Sequence, residues 1–372
     1  MTGELLGSTY AGRLGLQQRV VPAYRVPFFK QLASVCEGGL KVFAGEPRRN
    51  EGILAASDLE ANLFYSGENI HILGGPLYLC YQRKLVEWLD DWNPEALILE
   101  ANPRYIANWA ALRWMRQRNR PVIGWGLGAP TPQGVLTGVR VAYRQRFLNG
   151  FDALIAYSTL GADQYRKLGV RSDRLFVAPN AVAPIPPPIP PRKVKPQKDL
   201  SVIFVGRLQA RKLVDNLLRA CASLEYKPAL TIVGDGPARN ELEVLAREIY
   251  PQARFAGAQQ GEALDGYFKA ADLFVLPGTG GLAVQQAMAH GLPVIVAEGD
   301  GTQKDLATPQ NGWLVPPGDI QALVEAMREA LSDPARLQTM GQESHRMASE
   351  RFNIETMASV FVQALNTVTR ER

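Results

Sequence analysis

Two cations, Arg207 and Lys212, lie in the segment FVGRLQARK (residues 204–212), where an apolar run ends at Gly206 and a helical pattern follows. Fixed positive charges beside a helix N-terminus suit a diphosphate, because free N–H groups and the helix dipole add to the attraction. A second turn, VGDGP (residues 233–237), places glycines where the chain must bend tightly and sets Pro237 at a helix start. A third, PGTGG (residues 277–281), precedes a helix from Leu282. Gly278, Gly280 and Gly281 let the backbone close on a ligand, and the helix start offers unpaired N–H groups. Residues 274–296 contain no Asp, Glu, Lys or Arg, so this third cradle is made of backbone, not charge. A single glycine turn says little; three in one half of the chain, each after a strand, say much more.

Parallel sheets are the elements that bring such turns together. In the first half, strands are expected at GLQQRVV, KVFAG, NIHIL, ALILEA, PVIGWGL, ALIAYS and LFVAPN, the last ending at Asn180. Helices are expected around PFFKQLASV and over 79–90, 105–118 and 136–149. Short buried strands separated by helices mean βαβ units. Residues 183–198, APIPPPIPPRKVKPQK, hold seven prolines and suit only an extended, semi-rigid connector, so a linker is set at 181–199. The alternation restarts with LSVIFVG, a helix from Val214, ALTIVGDG, a helix from Ala238, RFAG, a helix over 261–270 and LFVLPG. Three closing helices are expected at about 319–332, 334–349 and 354–369. The fold class is α/β: two doubly wound, Rossmann-like domains, 1–180 and 200–353, facing across a cleft. Ligands in such folds bind at the carboxyl ends of the strands. ILEANPRY places Glu100, Asn102 and Arg104 at one such end, either to serve an acceptor or with Asn102 as a plain helix cap.

At 372 residues the chain exceeds a single ordinary core, and 46% hydrophobic with 21% charged residues is ordinary for a soluble protein. Cys36, Cys80 and Cys221 are widely spaced and odd in number, which points to a reducing cytoplasm. The first twenty residues lack the apolar core of a signal peptide, and no run of 18 apolar residues suits a membrane span. The net charge of +5 is uneven: residues 101–151 hold eight arginines, no lysine and no acid. These are Arg104, Arg113, Arg116, Arg118, Arg120, Arg140, Arg144 and Arg146, interleaved with Trp109, Trp114, Tyr143 and Phe147. Such a surface is drawn to an anionic bilayer leaflet by about 1 kcal/mol per charge; alternatively, it is a solvated helix face over buried aromatics. No recognition motif points to nucleic acid. No DxD motif suggests a metal, and the ExD at Glu298–Asp300 stands alone.

Over most of its length, and most closely over about 200–350, the sequence resembles the retaining glycosyltransferases of family 4 (group 1), which have the GT-B fold. The resemblance implies that Arg207 and Lys212 hold the diphosphate of a nucleoside-diphosphate sugar, with Gly206 beside them. By the same analogy Gly257 and Ala258 of RFAGAQ face the nucleotide base, and a closing helix (about 354–372) packs back on the first domain. Gly278, Thr279, Gly280, Gly281, Leu282 and Gln286 become donor contacts. AYRVPFF resembles the first loop and helix of some members that build surface polysaccharides, which sets Tyr24 and Arg25 on the acceptor side. Three departures fall at the chemistry: the family's two glutamates are Gly278 and Gln286 here, and its histidine is Leu127.

The implied activity is retaining, metal-independent transfer from a nucleoside-diphosphate sugar, without a cofactor, to a glycan or lipid-linked acceptor. The implied place is the cytoplasm, peripheral at the inner membrane face. Thr279 and EGDGTQKD (residues 298–305) are candidate replacements for the lost carboxylates. Two alternatives remain: a degenerate member that binds nucleotide or glycan without turnover, and a sugar-nucleotide epimerase, against which the scarcity of His and the missing paired Glu argue.

Overall fold

The buried apolar runs pair as parallel strands in two units. The computed structural model describes residues 8–370 except 49–50, 52, 54–55, 57–59, 61, 133, 135 and 191. One unit is Met1–Val182 with Ile354–Arg372, the other Ala183–Asn353.

In the first unit the chain runs β1 (Leu14–Gln17), α1 (Val26–Ser34), β2 (Leu40–Ala44), β3 (Phe64–Ser66), β4 (Glu68–Ile72) and β5 (Leu79–Arg83). It continues through α2 (Leu85–Trp92), β6 (Ala96–Glu100), α3 (Ala107–Gln117), β7 (Val122–Gly126), α4 (Thr137–Leu148), β8 (Ala153–Ala156), α5 (Thr159–Lys167) and β9 (Leu175–Val177). Seven strands form one sheet in the order β3-β2-β1-β6-β7-β8-β9, every pairing parallel.

Two expectations are corrected here. Residues 79–90 are not one helix: 79–83 form β5, whose burial alternates with period 2, and Lys84 turns left-handed at φ 65° before α2 starts. NIHIL is not in the parallel sheet; β4 pairs antiparallel with β5 as a separate hairpin, and Phe64–Ser66 takes the outer place beside β2. The run LCYQR fits either period over so short a length, and tertiary pairing decided it.

The second unit runs β10 (Ser201–Val205), α6 (Val214–Ser223), β11 (Ala229–Val233), α7 (Arg239–Ile249), β12 (Arg254–Gly257), α8 (Gly261–Ala270), β13 (Leu273–Leu276) and α9 (Leu282–Ala289). It ends with β14 (Val294–Ala297), α10 (Gln303–Leu306), β15 (Gly312–Val315), α11 (Ile320–Ser332) and α12 (Pro334–Glu350). Its sheet order is β12-β11-β10-β13-β14-β15, again all parallel. Asp319 and Asp333 cap α11 and α12, accepting from Ala322 N at 2.9 Å and Arg336 N at 3.0 Å. Each such cap contributes about 1 kcal/mol. α7 starts at Arg239 with Ala238 as its cap, so Pro237 precedes the helix and does not open it.

The last helix, α13 (Ile354–Arg370), belongs to the first unit. Phe361 packs edge-on to Phe28 of α1 and to Trp125 of β7, with ring centroids 5.0 and 4.9 Å apart. Such pairs contribute about 0.5–1.5 kcal/mol beyond the area they bury. Two basic residues of the Pro-rich stretch are tied to the second unit. Arg192 donates to the carbonyls of Phe268 at 3.1 Å and His290 at 2.9 Å, and Lys195 pairs with Asp272 at 2.9 Å.

Candidate active site

In the second unit the turns after β10, β11 and β12 are laced together backbone to backbone. Gly206 N donates to Val233 O at 3.0 Å, Leu208 N to Asp235 O at 2.8 Å and Gly234 N to Gly257 O at 2.8 Å. The lacing explains VGDGP, because a Cβ on Gly234 would stand 2.9 Å from the carbonyl carbon of Gly206. The backbone passes where a side chain would be. These turns line a cavity of about 470 Å³ walled by Val205, Gly206, Arg207, Gly234, Asp235, Ala258 and Gln259, among others. Gly206, Arg207 and Ala258, read from sequence, thus meet in one cavity; Asp235 and Gln259 join them. Asp235 is held by Gly236 N and by Arg239 at 3.0 Å, so its charge is spent locally.

The third turn closes on the segment carrying the cations. Ala210–Lys212 form a single 3₁₀ turn, and Leu213 then adopts a left-handed conformation at φ 52° before α6. A non-glycine residue there stores of order 1 kcal/mol or more of strain. Thr279 N donates to Arg211 O at 3.1 Å, Arg211 Nη1 donates to Thr279 Oγ1 at 3.0 Å, and the Lys212 ammonium donates to Thr279 O. Burial, helped by the like charge of Arg211, lowers the Lys212 pKa to about 8. Arg207 and Arg211 are exposed.

The close approach also accounts for Gly278. A Cβ there would lie 2.5 Å from the carbonyl carbon of Lys212 and 2.7 Å from its Cα. A glutamate at 278 is therefore sterically excluded in this backbone. A Cβ on Gly280 would meet Lys212 Nζ at 2.5 Å. Gly281 precedes α9, whose first residue is Leu282, and Gln286 is half-buried on that helix. Of the residues 298–305, Gln303 reaches the turn, donating to Gly280 O at 2.9 Å. Glu298 pairs with Lys304 at 3.3 Å and Asp300 accepts from Thr302, so the ExD is a local loop brace.

In the first unit the strand ends are tied by side chains. Gln17, fully buried, donates to Gln82 of the hairpin and accepts from Glu100 N at 3.0 Å. Gln82 donates to Gln18 O at 3.1 Å and Asn69 Oδ1 at 2.9 Å, and Asn108 donates to Glu100 O at 3.0 Å. Glu100 accepts from Arg19 N at 2.5 Å; burial raises its pKa, against the pull of Arg19 and Arg25. Arg25 is 7% exposed, lies 4.4 Å from the Trp125 ring centroid and donates to Tyr157 Oη at 2.8 Å. Its Nη1 is buried with no hydrogen-bond partner among the described residues. Tyr24 beside it is 40% exposed.

Asn102 does not cap α3: its Oδ1 accepts from Arg104 N at 3.1 Å, while α3 begins at Ala107 with no side-chain cap. Leu127 is exposed, and no histidine replaces it. His71 meets Tyr78 at 3.0 Å, His290 meets Asp265 at 3.2 Å and His345 meets Ala289 O at 2.9 Å. Arg19, Gln82 and Asn108 escaped the sequence reading. Their one signal was the polar pair Gln17–Gln18 at the end of an otherwise apolar strand.

Comparison with known proteins agrees with this geometry. Residues 187–347 match the glycosyl transferases group 1 family and residues 46–181 the glycosyl transferase 4-like domain. The sulfoquinovosyl transferase SQD2 of Arabidopsis thaliana is 32% identical over 165 residues, 43% of this chain and 31% of that protein. A putative colanic acid biosynthesis glycosyltransferase, WcaL of Escherichia coli, is 27% identical over 208 residues, 52% of this chain and 50% of that one. The chain thus spans a third to a half of the length of these curated relatives. Among solved structures, Anabaena HepE in complex with UDP superposes with a TM-score of 0.68 at 17% identity, covering 95% of this chain and 99% of that one. With two adjoining family matches and two parallel α/β units of this topology, the chain belongs to the group 1, family 4 type of glycosyltransferases and has the GT-B fold.

Proposed function

We propose that the protein transfers a sugar from a nucleoside-diphosphate sugar to a glycan or lipid-linked acceptor, with retention at the anomeric carbon and without a metal. The observation that carries this is the second unit's set of turns: a cavity beside Arg207, and Lys212 held against a glycine turn that opens α9. The base lies against Gly257 and Ala258, and the diphosphate against Arg207, Lys212 and the N–H groups at Gly281 and Leu282. That HepE holds UDP supports the nucleotide, and the name of WcaL supports a polysaccharide acceptor.

The acceptor hydroxyl attacks the anomeric carbon on the face from which the diphosphate leaves. The bond from that carbon to the β-phosphate oxygen breaks, and the hydroxyl proton passes to a phosphate oxygen. Fixed cations and backbone donors aimed at the leaving charge are the main catalytic contribution on this route. In the first unit, Tyr24, Arg25 and Glu100 form the acceptor side. The protein works at the cytoplasmic, anionic face of a membrane. Arg104, Arg113, Arg140 and Arg146 are exposed, and Leu136 at the start of α4, with Val139 and Tyr143 on it, faces solvent near two of them.

A second reading, a member that binds nucleotide or glycan without turnover, is favoured by Gly278 and Leu127. A thermal-shift panel of UDP, GDP, ADP, dTDP and CDP with their sugar conjugates tests the first claim. Ligand at 100 times its Kd adds about 2.7 kcal/mol to stability. Slow hydrolysis of the stabilising donor, or its transfer to a glycan, marks the enzyme. Binding without either outcome supports the second reading, and silence from folded protein defeats the proposed transfer.

A further inference from the structure

The turn that meets Lys212 is rich in donors and poor in acceptors. Thr279 O already accepts from Lys212, Thr279 Oγ1 from Arg211, Gly280 O from Gln303 and Arg211 O from Thr279 N. Gly278 has no room for a carboxylate, and residues 274–296 contain none. A neutral sugar offers hydroxyls that need acceptors as well as donors, and in this turn both oxygens of Thr279 already accept from cations and Gly280 O from Gln303.

The charges point the same way. Arg207, Arg211 and Lys212 make no ion pair among the described residues; Arg211 is held only by Gln209 Oε1 at 3.1 Å and Thr279 Oγ1 at 3.0 Å. A nucleoside-diphosphate sugar carries two negative charges on its diphosphate, one fewer than these three cations carry. Arg211 is the surplus, and its Nη2 donates to no described residue. An exposed guanidinium with N–H groups to spare suits a carboxylate.

Resting on the donor reading above, we infer that the donor sugar is acidic: the site takes a nucleoside-diphosphate uronic sugar, with its carboxylate on Arg211. Arg207 and Lys212 hold the diphosphate, and Arg211 selects what is attached to it.

The test compares matched pairs, UDP-glucose with UDP-glucuronate and GDP-mannose with GDP-mannuronate, by calorimetry on the full chain. In the pair whose nucleotide binds, the uronate binds at least about tenfold tighter, the scale of one hydrogen-bonded charge pair. In Arg211→Ala that ratio falls toward one, and Arg211→Lys, which keeps charge but not the fork, retains part of it. A neutral sugar that binds as tightly, or a ratio that survives Arg211→Ala, overturns this inference and leaves the glycosyltransferase reading standing. Failure of UDP and GDP themselves to bind overturns this inference, and failure of ADP, dTDP and CDP as well overturns the donor reading with it.

Discussion

The two units finish their sheets by different means. In the second, the strand-end turns are joined main chain to main chain, through Gly206, Gly234 and Gly257, and the exposed Arg207 and Arg211 lie beside them. In the first, the ends of β1, β5 and β6 are held by buried amides, Gln17, Gln82 and Asn108, around a half-buried Glu100. The outer surfaces differ too. Leu73, Leu77, Leu127, Leu136 and Val139 stand exposed on the first unit, whereas Ile185, Val194 and Val244 are the large apolar side chains so exposed on the second among the described residues. Backbone lacing makes a precise site whose fit depends on a few glycines. Side-chain lacing depends on the identity of a few buried amides.

The hardest blow to this contrast would be to remove the second unit's cations. Arg207→Ala with Lys212→Ala should weaken nucleotide binding at least about a hundredfold, since hydrogen bonds to charged groups contribute about 1.5–3 kcal/mol each. Calorimetry reads the loss, and an unchanged melting curve shows that the unit stays folded. Restoring the family's carboxylate is the next test. Gly278→Glu should destabilise the protein by about 3 kcal/mol through overpacking and lower donor affinity; a stable variant with higher activity would mean that the turn is free to move.

On the first unit, Arg140→Glu with Arg146→Glu should weaken sedimentation with anionic vesicles by about 1 kcal/mol per charge removed and leave neutral vesicles unaffected. Added salt should weaken wild-type binding in the same way; equal binding to neutral vesicles would refute the surface. The smallest effect is the pH limb. Lys212, with its pKa lowered to about 8 by burial and by Arg211, is charged below that pH and neutral above it. Nucleotide affinity should therefore be full near pH 7 and fall severalfold by pH 9. Arg211→Ala, which removes the like charge, should move the fall to higher pH.

The placement of Arg207 and the glycine turns after strands was legible because each lies at a short offset from a strand end. Gly278 was legible as a departure but not as a necessity; only the distance to Lys212 backbone explains it. Arg211 was invisible as a ligand group, since what singles it out is a bond to Thr279, 68 residues away. The first unit was harder to read. The hairpin β4–β5 was misassigned because LCYQR satisfies two periodicities, and Gln82 acquires its role from Gln17, 65 residues distant. Arg25, read as an acceptor-side group, is buried over Trp125 with its Nη1 unpartnered among the described residues.

The sequence alone determined the α/β alternation, the division near the proline-rich stretch and the cation-bearing turn, since all three rest on local spacing and backbone preference. Tertiary structure decided which loops touch, why residue 278 carries no side chain, which arginines are spent on structure and which stay open. Those outcomes depend on distances between segments far apart in the chain, and periodicity carries no record of them.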